Sequence, residues 1–528
     1  MIIDLAEHEN DASLSTQILV IGGGIAGLLL ATKLRDHRMK VVVLESGGRE
    51  QKEDTHPLNQ VILLADRYRG ALHGRFRCLG GTSTRWGGAL IPFLPSDLAA
   101  RPYLELPGWP VRIEALQPHL VEIENVFGVA HGTYEEELAN EIGASDYVPT
   151  GDDDFKVRFA KWPQFKRRNI ATLLKDRLDR DPDLTIWINA TVTSFQLDEQ
   201  RRISSVTACH QNGRTVKVAA THVVLCAGAI ESTRLLLLLN RQYRGEAFKG
   251  CGALGRFFYD HISARVAAIG AKQVQHLNRM AALRFTAKTM RSLRFELSTS
   301  AQASGRVPSA FGHISFQAER PTGFDELRDF LRSLQRSGRI DPSLGARLLR
   351  DIPYLARVGL WRYVHKQLLW PRPARYELHV AAEQRPWHYN CITLASDVDV
   401  FGLPLAAIKW RIESADYVVF SAFIRLFDRF WKRHGLGKVG DLAWLVHADE
   451  VSGTGISNTG DVYHPGGSTR MGTESHSAVV NSDLRTFAIS NLWVSSTSVF
   501  PSGASANPTL MLMLFTMRLA DHLARAYR

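Results

Sequence analysis

The apolar and polar positions follow two rhythms along the chain. Ile18-Leu19-Val20-Ile21, entered at Gln17, is an unbroken apolar run and reads as a strand buried on both faces. A helix follows from Ile25 to Arg35, and Val41-Val42-Val43-Leu44 is a second buried strand closed by Glu45. Strand, helix, strand predicts a parallel α/β unit. Thr221 to Ile230 reads as a later strand of the same sheet that ends in small residues, with a helix from Glu231 to Asn240. Thr185 to Val192 and Val206 to His210 read as strands of a small antiparallel layer. Pro508 fits the first position of an apolar helix that runs through Met511, Leu514 and Met517 to about Ala526. Between Gly323 and Leu369 the pattern predicts helices, separated by Ser337-Gly338 and Asp341-Pro342, with an arginine-rich face.

The glycines add chemistry to the first strand and helix. Gly22, Gly24 and Gly27 have GxGxxG spacing at the strand-to-helix turn. The first allows the tight turn, the second lets backbone approach a pyrophosphate, and the third lets helix pack on strand. The helix N-terminus offers amides and positive potential to phosphates. Glu45 would bond the ribose hydroxyls, and an acid there favours FAD or NAD over NADP. A second cluster, Gly80-Gly81-Thr82-Ser83-Thr84-Arg85-Trp86-Gly87-Gly88-Ala89, suggests backbone lying against a flat ligand. Ala227-Gly228 would press on the same ligand.

Size and composition narrow the class. A chain of 528 residues exceeds one simple core. Hydrophobic residues at 45% and charged residues at 22% are ordinary for a globular protein. No apolar stretch reaches the ~20 residues of a membrane span, and the acidic N-terminal stretch lacks an export signal, so a cytoplasmic location is expected. Cys78, Cys209, Cys226, Cys251 and Cys391 are scattered, with no CxxC pair, so no metal centre or disulfide framework is expected. The net charge of +11 reads first as solvated basic surface. Oligomer contact, an anionic membrane surface and an acidic substrate are alternatives. Nothing argues for nucleic acid.

The C-terminal part carries the most specific pattern. His464-Pro465-Gly466-Gly467-Ser468-Thr469-Arg470-Met471-Gly472 is followed by Ala506-Asn507-Pro508-Thr509, which sets an Asn 43 residues after a His. Together with the glycine clusters, Leu254-Gly255-Arg256-Phe257 and the last 75 residues, this resembles the glucose–methanol–choline (GMC) flavin oxidoreductases. Glu383-Gln384-Arg385-Pro386, Asn390 to Leu394 and Asp399 to Pro404 look like the branch of pyranose oxidases and sugar dehydrogenase large subunits.

The resemblance implies an α/β fold: a Rossmann-like FAD-binding domain of GMC type, plus an α+β substrate domain with an antiparallel sheet. The expected FAD-binding domain is discontinuous, at 15–95, 181–260 and 455–528. Residues 96–180 and 261–454 are expected to form the substrate domain, with the basic helical insert near 323–369. His464 matches the family base, and Asn507 matches the second active-site position, where its amide can orient a hydroxyl. The helix starting at Pro508 would stabilise negative charge on a reduced flavin.

Cofactor contacts are expected from Gly22, Gly24, Ile25, Ala26, Gly27, Glu45, Ser46, Gly80, Gly81, Thr82, Trp86, Gly87, Gly88, Ala89, Val192, Ala227, Gly228, Ser496, Pro508 and Thr509. Glu383, Trp387, His388, Tyr389 and His447 are candidate substrate contacts, and His261 is expected at the domain junction. The pattern departs from the family in two places. Many relatives have a carboxylate near Ser496. Some attach flavin through a His where this chain has Arg85, so FAD is expected to be non-covalent. The expected reaction is FAD-dependent oxidation of a secondary hydroxyl of a sugar or glycosylated small molecule to a ketone, with O2 or a carrier as electron acceptor. A non-redox lyase on the same scaffold and oxidation of a non-sugar alcohol are the alternatives.

Overall fold

A computed structural model describes residues 1–51, 53, 55–319, 352–451, 455–457 and 459–526. The apolar runs of the first pattern form the centre of one sheet. Its order is Ile2–Asp4, Leu184–Ile188, Val41–Leu44, Ala12–Ile21, Thr215–Leu225, Ile203–Cys209 and Thr191–Leu197, with Leu492–Val494 also pairing with Thr215–Leu225. Ala12–Ile21 lies parallel to Val41–Leu44 on one side and to Thr215–Leu225 on the other.

One expectation changes here. Leu184–Ile188 is a parallel strand of this sheet beside Val41–Leu44, outside the antiparallel layer. The antiparallel layer consists of Thr191–Leu197, Ile203–Cys209 and the first half of Thr215–Leu225. One long strand therefore serves both arrangements. Thr215 to Ala219 pairs with the antiparallel layer, and Val223 to Leu225 pairs parallel with Leu492–Val494. The alternation of exposed and buried positions in its first half, replaced by Val223-Val224-Leu225 fully buried, follows that change of surroundings.

Four parallel strands of this sheet end on the same side. The residues just past them are Gly22, Glu45, Cys226 and Ser495, and all four line one cavity. Open α/β sheets bind ligands in this place, beyond the carboxyl ends of their strands. The helices Ile25–Asp36 and Thr509–Arg525 pack on each other, and their first turns meet the same cavity. Pro508 is the residue preceding the C-terminal helix rather than its first, a one-residue shift within ordinary end fraying.

The second core is built on an antiparallel sheet ordered Arg284–Thr286, Thr289–Leu297, Ala310–Ala318, Ala374–Glu383, His261–Ala271 and Gly440–Trp444. Phe155–Trp162 pairs with the outer side of Thr289–Leu297. The helix Ser414–Arg433 covers the far face with Phe420, Phe423, Phe427 and Phe430. Of the stretch 96–180, Trp109, Ile113, Ile123, Phe127, Ile170 and Leu178 pack in the first core, while Leu138, Val148, Phe155 and Phe159 pack in the second. Residues 323–351 of the expected basic insert lie outside the described residues. Ile352–His365 is a helix that exposes Leu360, Tyr363 and Val364. No helix among the described residues is long and apolar enough to cross a membrane.

Phe427 is fully buried, with ring centroids 5.4 Å from Phe155 and 5.3 Å from Phe295. Phe427→Ala is expected to cost about 3–5 kcal/mol, read as a lower midpoint in denaturant unfolding followed by circular dichroism.

Candidate active site

The cavity beyond the strand ends encloses about 1190 Å³ of non-atom space, part of it open to solvent. Its shape depends on the glycines of the first turn. A Cβ on Gly27 would stand 1.9 Å from the Gly22 carbonyl oxygen, so only glycine lets the helix start this close to the strand. Gly24 has open space where its Cβ would be, and it lines the cavity. Backbone is thus presented bare to a ligand, beside the N-terminus of the helix Ile25–Asp36. The cradle fits a pyrophosphate.

Glu45 is buried, and its two oxygens accept the N–H groups of Gly23 and Gly47 at 2.7 and 2.8 Å. Burial raises its carboxyl pKa, against those two bonds. Ile25, Ala26, Ser46, Gly81, Thr82, Trp86, Ala227, Gly228, Ser496, Pro508 and Thr509 also line the cavity. Trp86 is held by its indole N–H, which donates to the Arg168 carbonyl at 2.8 Å. Gly27, Gly80, Gly87, Gly88, Ala89 and Val192 are outside the lining. Val192 is buried in the antiparallel layer opposite Ala208, and Gly87 and Gly88 pack on Trp162 and Pro163.

Sequence reasoning missed Asn59, Arg75, Arg77 and Tyr463, all of which line the cavity. Arg77 donates to Ser46 Oγ at 2.8 Å and to Glu231 at 2.7 Å. Burial would raise Glu231, but Arg77, Arg234 and Arg75 outweigh it and hold the carboxyl at about 2. The stretch around Arg75 and Arg77 has no apolar periodicity, so no local pattern places it here.

His464 stands at one end of the cavity. Its loop is admitted by Gly467, whose φ of +82° and missing Cβ let it pass the Phe257 carbonyl oxygen, which a Cβ would approach to 2.0 Å. The His464 backbone N–H donates to both oxygens of Asp260 at 2.9 Å. Asp260 is fully buried and also accepts the Tyr68 hydroxyl at 2.6 Å and the His261 N–H at 2.7 Å. Burial pushes its carboxyl up to about 8, although Tyr68 and the backbone donors pull the other way. Asp260, His261 and His464 each offer one ligand atom within 4.8 Å of the others. The Asp260 oxygens are already committed to these donors, so the cluster reads as a hydrogen-bonded anchor.

The Nε2 atom of His464 is 3.3 Å from Nδ2 of Asn507. The imidazole pKa is well below its usual range, chiefly through burial, then through His261 and Arg294. The loop that carries Asn507 is tied down nearby. His261 Nε2 meets the Ala504 carbonyl at 2.6 Å, and Gly503 N–H donates to Glu383 at 3.0 Å.

Glu383 does not face the cavity. It is fully buried in a two-pronged pair with Arg101 at 2.5 and 2.7 Å and accepts Ser309 N–H as well. A carboxylate so saturated has no free oxygen to offer a sugar. Trp387 donates to Asp416 at 3.0 Å and stacks on Tyr389, His388 packs on Phe257, and His447 is exposed. None of these expected substrate contacts lines the cavity.

A family profile described as GMC oxidoreductase matches residues 386–516, and one for an NAD(P)-binding Rossmann-like domain matches residues 20–49. The chain is similar to a 2-methyl-1,2-propanediol dehydrogenase of Mycolicibacterium austroafricanum, with 22% identity over 97% of this chain and 96% of that protein. It is similar at 22% to a fructose dehydrogenase large subunit of Gluconobacter japonicus, over 97% and 98%. Residues 386–516 match the GMC oxidoreductase family, and the full-length likeness to these dehydrogenases supports that family for the chain. Together these findings support an FAD-dependent oxidoreductase acting on CH–OH groups. Solved structures share the fold. A pyridoxine 4-oxidase of Mesorbium loti has a TM-score of 0.58 at 16% identity, covering 96% of this chain and 99% of that one. A formate oxidase of Aspergillus oryzae RIB40 has 0.59 at 15%, covering 98% and 99%.

Gly27→Ala is expected to abolish FAD retention, because no rotamer relieves a Cβ placed against the Gly22 carbonyl. The purified variant should lack the visible flavin absorption band, and a normal band would contradict the assigned cradle.

Proposed function

We propose that this GMC oxidoreductase oxidises a secondary hydroxyl of a sugar or glycosylated small molecule to a ketone, with His464 as base and Asn507 as orienting amide. The observation that carries the reading is the approach of Asn507 Nδ2 to within 3.3 Å of Nε2 of His464, a residue that lines the cavity. A hydroxyl oxygen that displaces this contact would receive an amide hydrogen bond while giving its proton to the imidazole. Bound FAD supplies the acceptor for the hydride leaving the same carbon.

His464 suits proton removal because it is neutral in the folded protein, its charged form being disfavoured by burial and by the neighbouring cation. Asn507 cannot compete for the proton, and its N–H stabilises the developing alkoxide. The first turn of Thr509–Arg525 lends positive potential to the same end of the cavity. The sugar class draws support from the likeness to the fructose dehydrogenase subunit. A simple alcohol is the second reading, favoured by the likeness to the propanediol dehydrogenase. FAD is proposed to be non-covalent, since the Arg85 guanidinium lies over the Phe76 ring and donates to the Gln51 carbonyl, and an arginine cannot form the histidyl bond.

Three measurements test this. Anaerobic mixing with free sugars, glycosides, nucleotide sugars and simple diols should bleach the flavin with one class. His464→Ala should keep FAD and lose at least ~100-fold in reduction rate, the usual scale for a general base; an unchanged rate would remove His464 from the reaction. Acid precipitation should leave the flavin in the supernatant, and flavin pelleting with the protein would show a covalent bond.

A pH profile follows from the lowered pKa. The base works unprotonated, so its limb lies where His464 takes up a proton. That point is shifted down, and the reduction rate should stay level as pH falls through 6.5 and decline only well below it. A limb at or above pH 6.5 would contradict a buried neutral base.

A further inference from the structure

We infer that Arg294 is a positioning residue: it orients the Asn507 amide and, through it, fixes the tautomer in which His464 acts as a base. The inference rests on the reading of His464 and Asn507 given above. It adds a third residue, from a strand of the antiparallel sheet far from both in the chain.

A guanidinium has only donors. Nη2 of Arg294 stands 3.0 Å from Oδ1 of Asn507. The amide therefore turns its oxygen to Arg294 and its NH2 group to His464. An NH2 group is likewise a donor only, so the facing Nε2 must carry the lone pair and the ring proton must sit on Nδ1. That is the tautomer a base needs: the lone pair is on Nε2, where it accepts the Asn507 N–H until a substrate hydroxyl takes that place. A flipped amide would set NH2 against guanidinium and oxygen against Nε2, which favours a proton on Nε2 and removes the base.

Nothing else among the described residues makes this choice. Nδ1 of His464 has no hydrogen-bond partner there. In a Ser-His-Asp triad, a carboxylate on Nδ1 fixes the tautomer. Here the selection comes from the other nitrogen.

The position of Arg294 is well supported. It lies on Thr289–Leu297, where Leu293 and Phe295 enter the second core and Arg294 points to the opposite face, 5% exposed. Its guanidinium lies 3.8 Å from the Phe311 ring centroid, which holds its plane. Glu296 is 3.7 Å away, but it is bonded more closely by Arg158 at 2.9 Å, the residue paired with Arg294 on the neighbouring strand. Arg294 is thus left partly uncompensated, with Nη1 unbonded among the described residues. The charged and titratable groups around it are Glu296, Arg158, His261, His313 and His464.

The test uses the full-length FAD-loaded protein. Its first readout is independent of turnover. In 15N-histidine-labelled protein, with His464 assigned by difference from His464→Ala, Nε2 should appear as the unprotonated nitrogen, and Arg294→Met should mix the two tautomers. The second readout is anaerobic reduction by the fastest alcohol of the panel above, beginning with fructose and 2-methyl-1,2-propanediol. Arg294→Met should keep the flavin spectrum and lower the limiting rate about 10- to 100-fold, the range of a lost charged hydrogen bond, with much less change in half-saturating concentration. Arg294→Lys, which keeps a cationic donor, should recover part of the loss. In an Asn507→Ala background there is no amide to orient, and Arg294→Met should cost less than about threefold.

Equal losses in both backgrounds, or an unprotonated Nε2 that persists in Arg294→Met, would overturn the inference alone. Unchanged reduction in His464→Ala would overturn the reading of the site, and the inference with it.

Discussion

The buried carboxylate of Asp260 is the interaction on which the rest of this site depends. It lies at the start of the strand His261–Ala271, and it gathers the Tyr68 hydroxyl and the backbone N–H groups of His261 and His464. Three chain segments, separated by 192 and 204 residues, are thereby tied to one group. A buried carboxylate without donors would be costly, so the donors cannot be withdrawn independently. His464 is thus positioned through its backbone, and its ring is left free for chemistry. Its neighbour His261 uses the same economy, bonding Ala504 and so fixing the loop that carries Asn507.

The two cores meet around this anchor, and they contribute differently. The parallel sheet brings strand ends and helix starts, hence backbone groups and positive potential, to the cofactor cavity. The antiparallel sheet brings long side chains. Arg294 reaches Asn507 from it, and the Arg101–Glu383 pair at its edge holds Gly503. A cofactor recognised through backbone needs little from side chains except their absence, which explains the glycines. A proton transfer needs angles and tautomers fixed, which explains why ion pairs and buried arginines crowd its other side.

That difference accounts for what was legible in the sequence. Gly22, Gly24, Glu45, Ala227 and Pro508 could be read because each sits at the edge of an unmistakable strand or helix, where local spacing fixes three-dimensional position. The pairing of His464 with Asn507 could be read because their loops contain residue patterns with few other uses. Leu184–Ile188 could not be placed correctly, since a short apolar run does not state whether its neighbour is parallel or antiparallel. Glu383, Trp387, His388, Tyr389 and His447 had suitable chemistry for a sugar, but residue type does not reveal direction. Glu383 turned out to be spent on Arg101, and Trp387 on Asp416. Arg294 carried no signal at all. Its alternation on a strand is the same for a solvent-facing arginine as for one aimed at an active site, and only its long-range partner tells them apart.

The arrangement also bears on how this fold can change substrate without losing its chemistry. The hydroxyl-handling pair is anchored by Asp260 and by the loop 503–507, both fixed by main-chain bonds. The face of the antiparallel sheet that carries Arg294 also carries Phe311, His313 and His379, with His313 directly opposite His379 in register. In the proposed reading, substitutions on that face alter polarity and shape beside the Arg294 guanidinium while leaving the backbone anchor of His464 in place. Arg294 is the exception, because its guanidinium is bonded to the Asn507 amide itself. A change at that one position would reach the base through two hydrogen bonds, so selection of substrate and competence of the base are coupled there and separable elsewhere on the sheet.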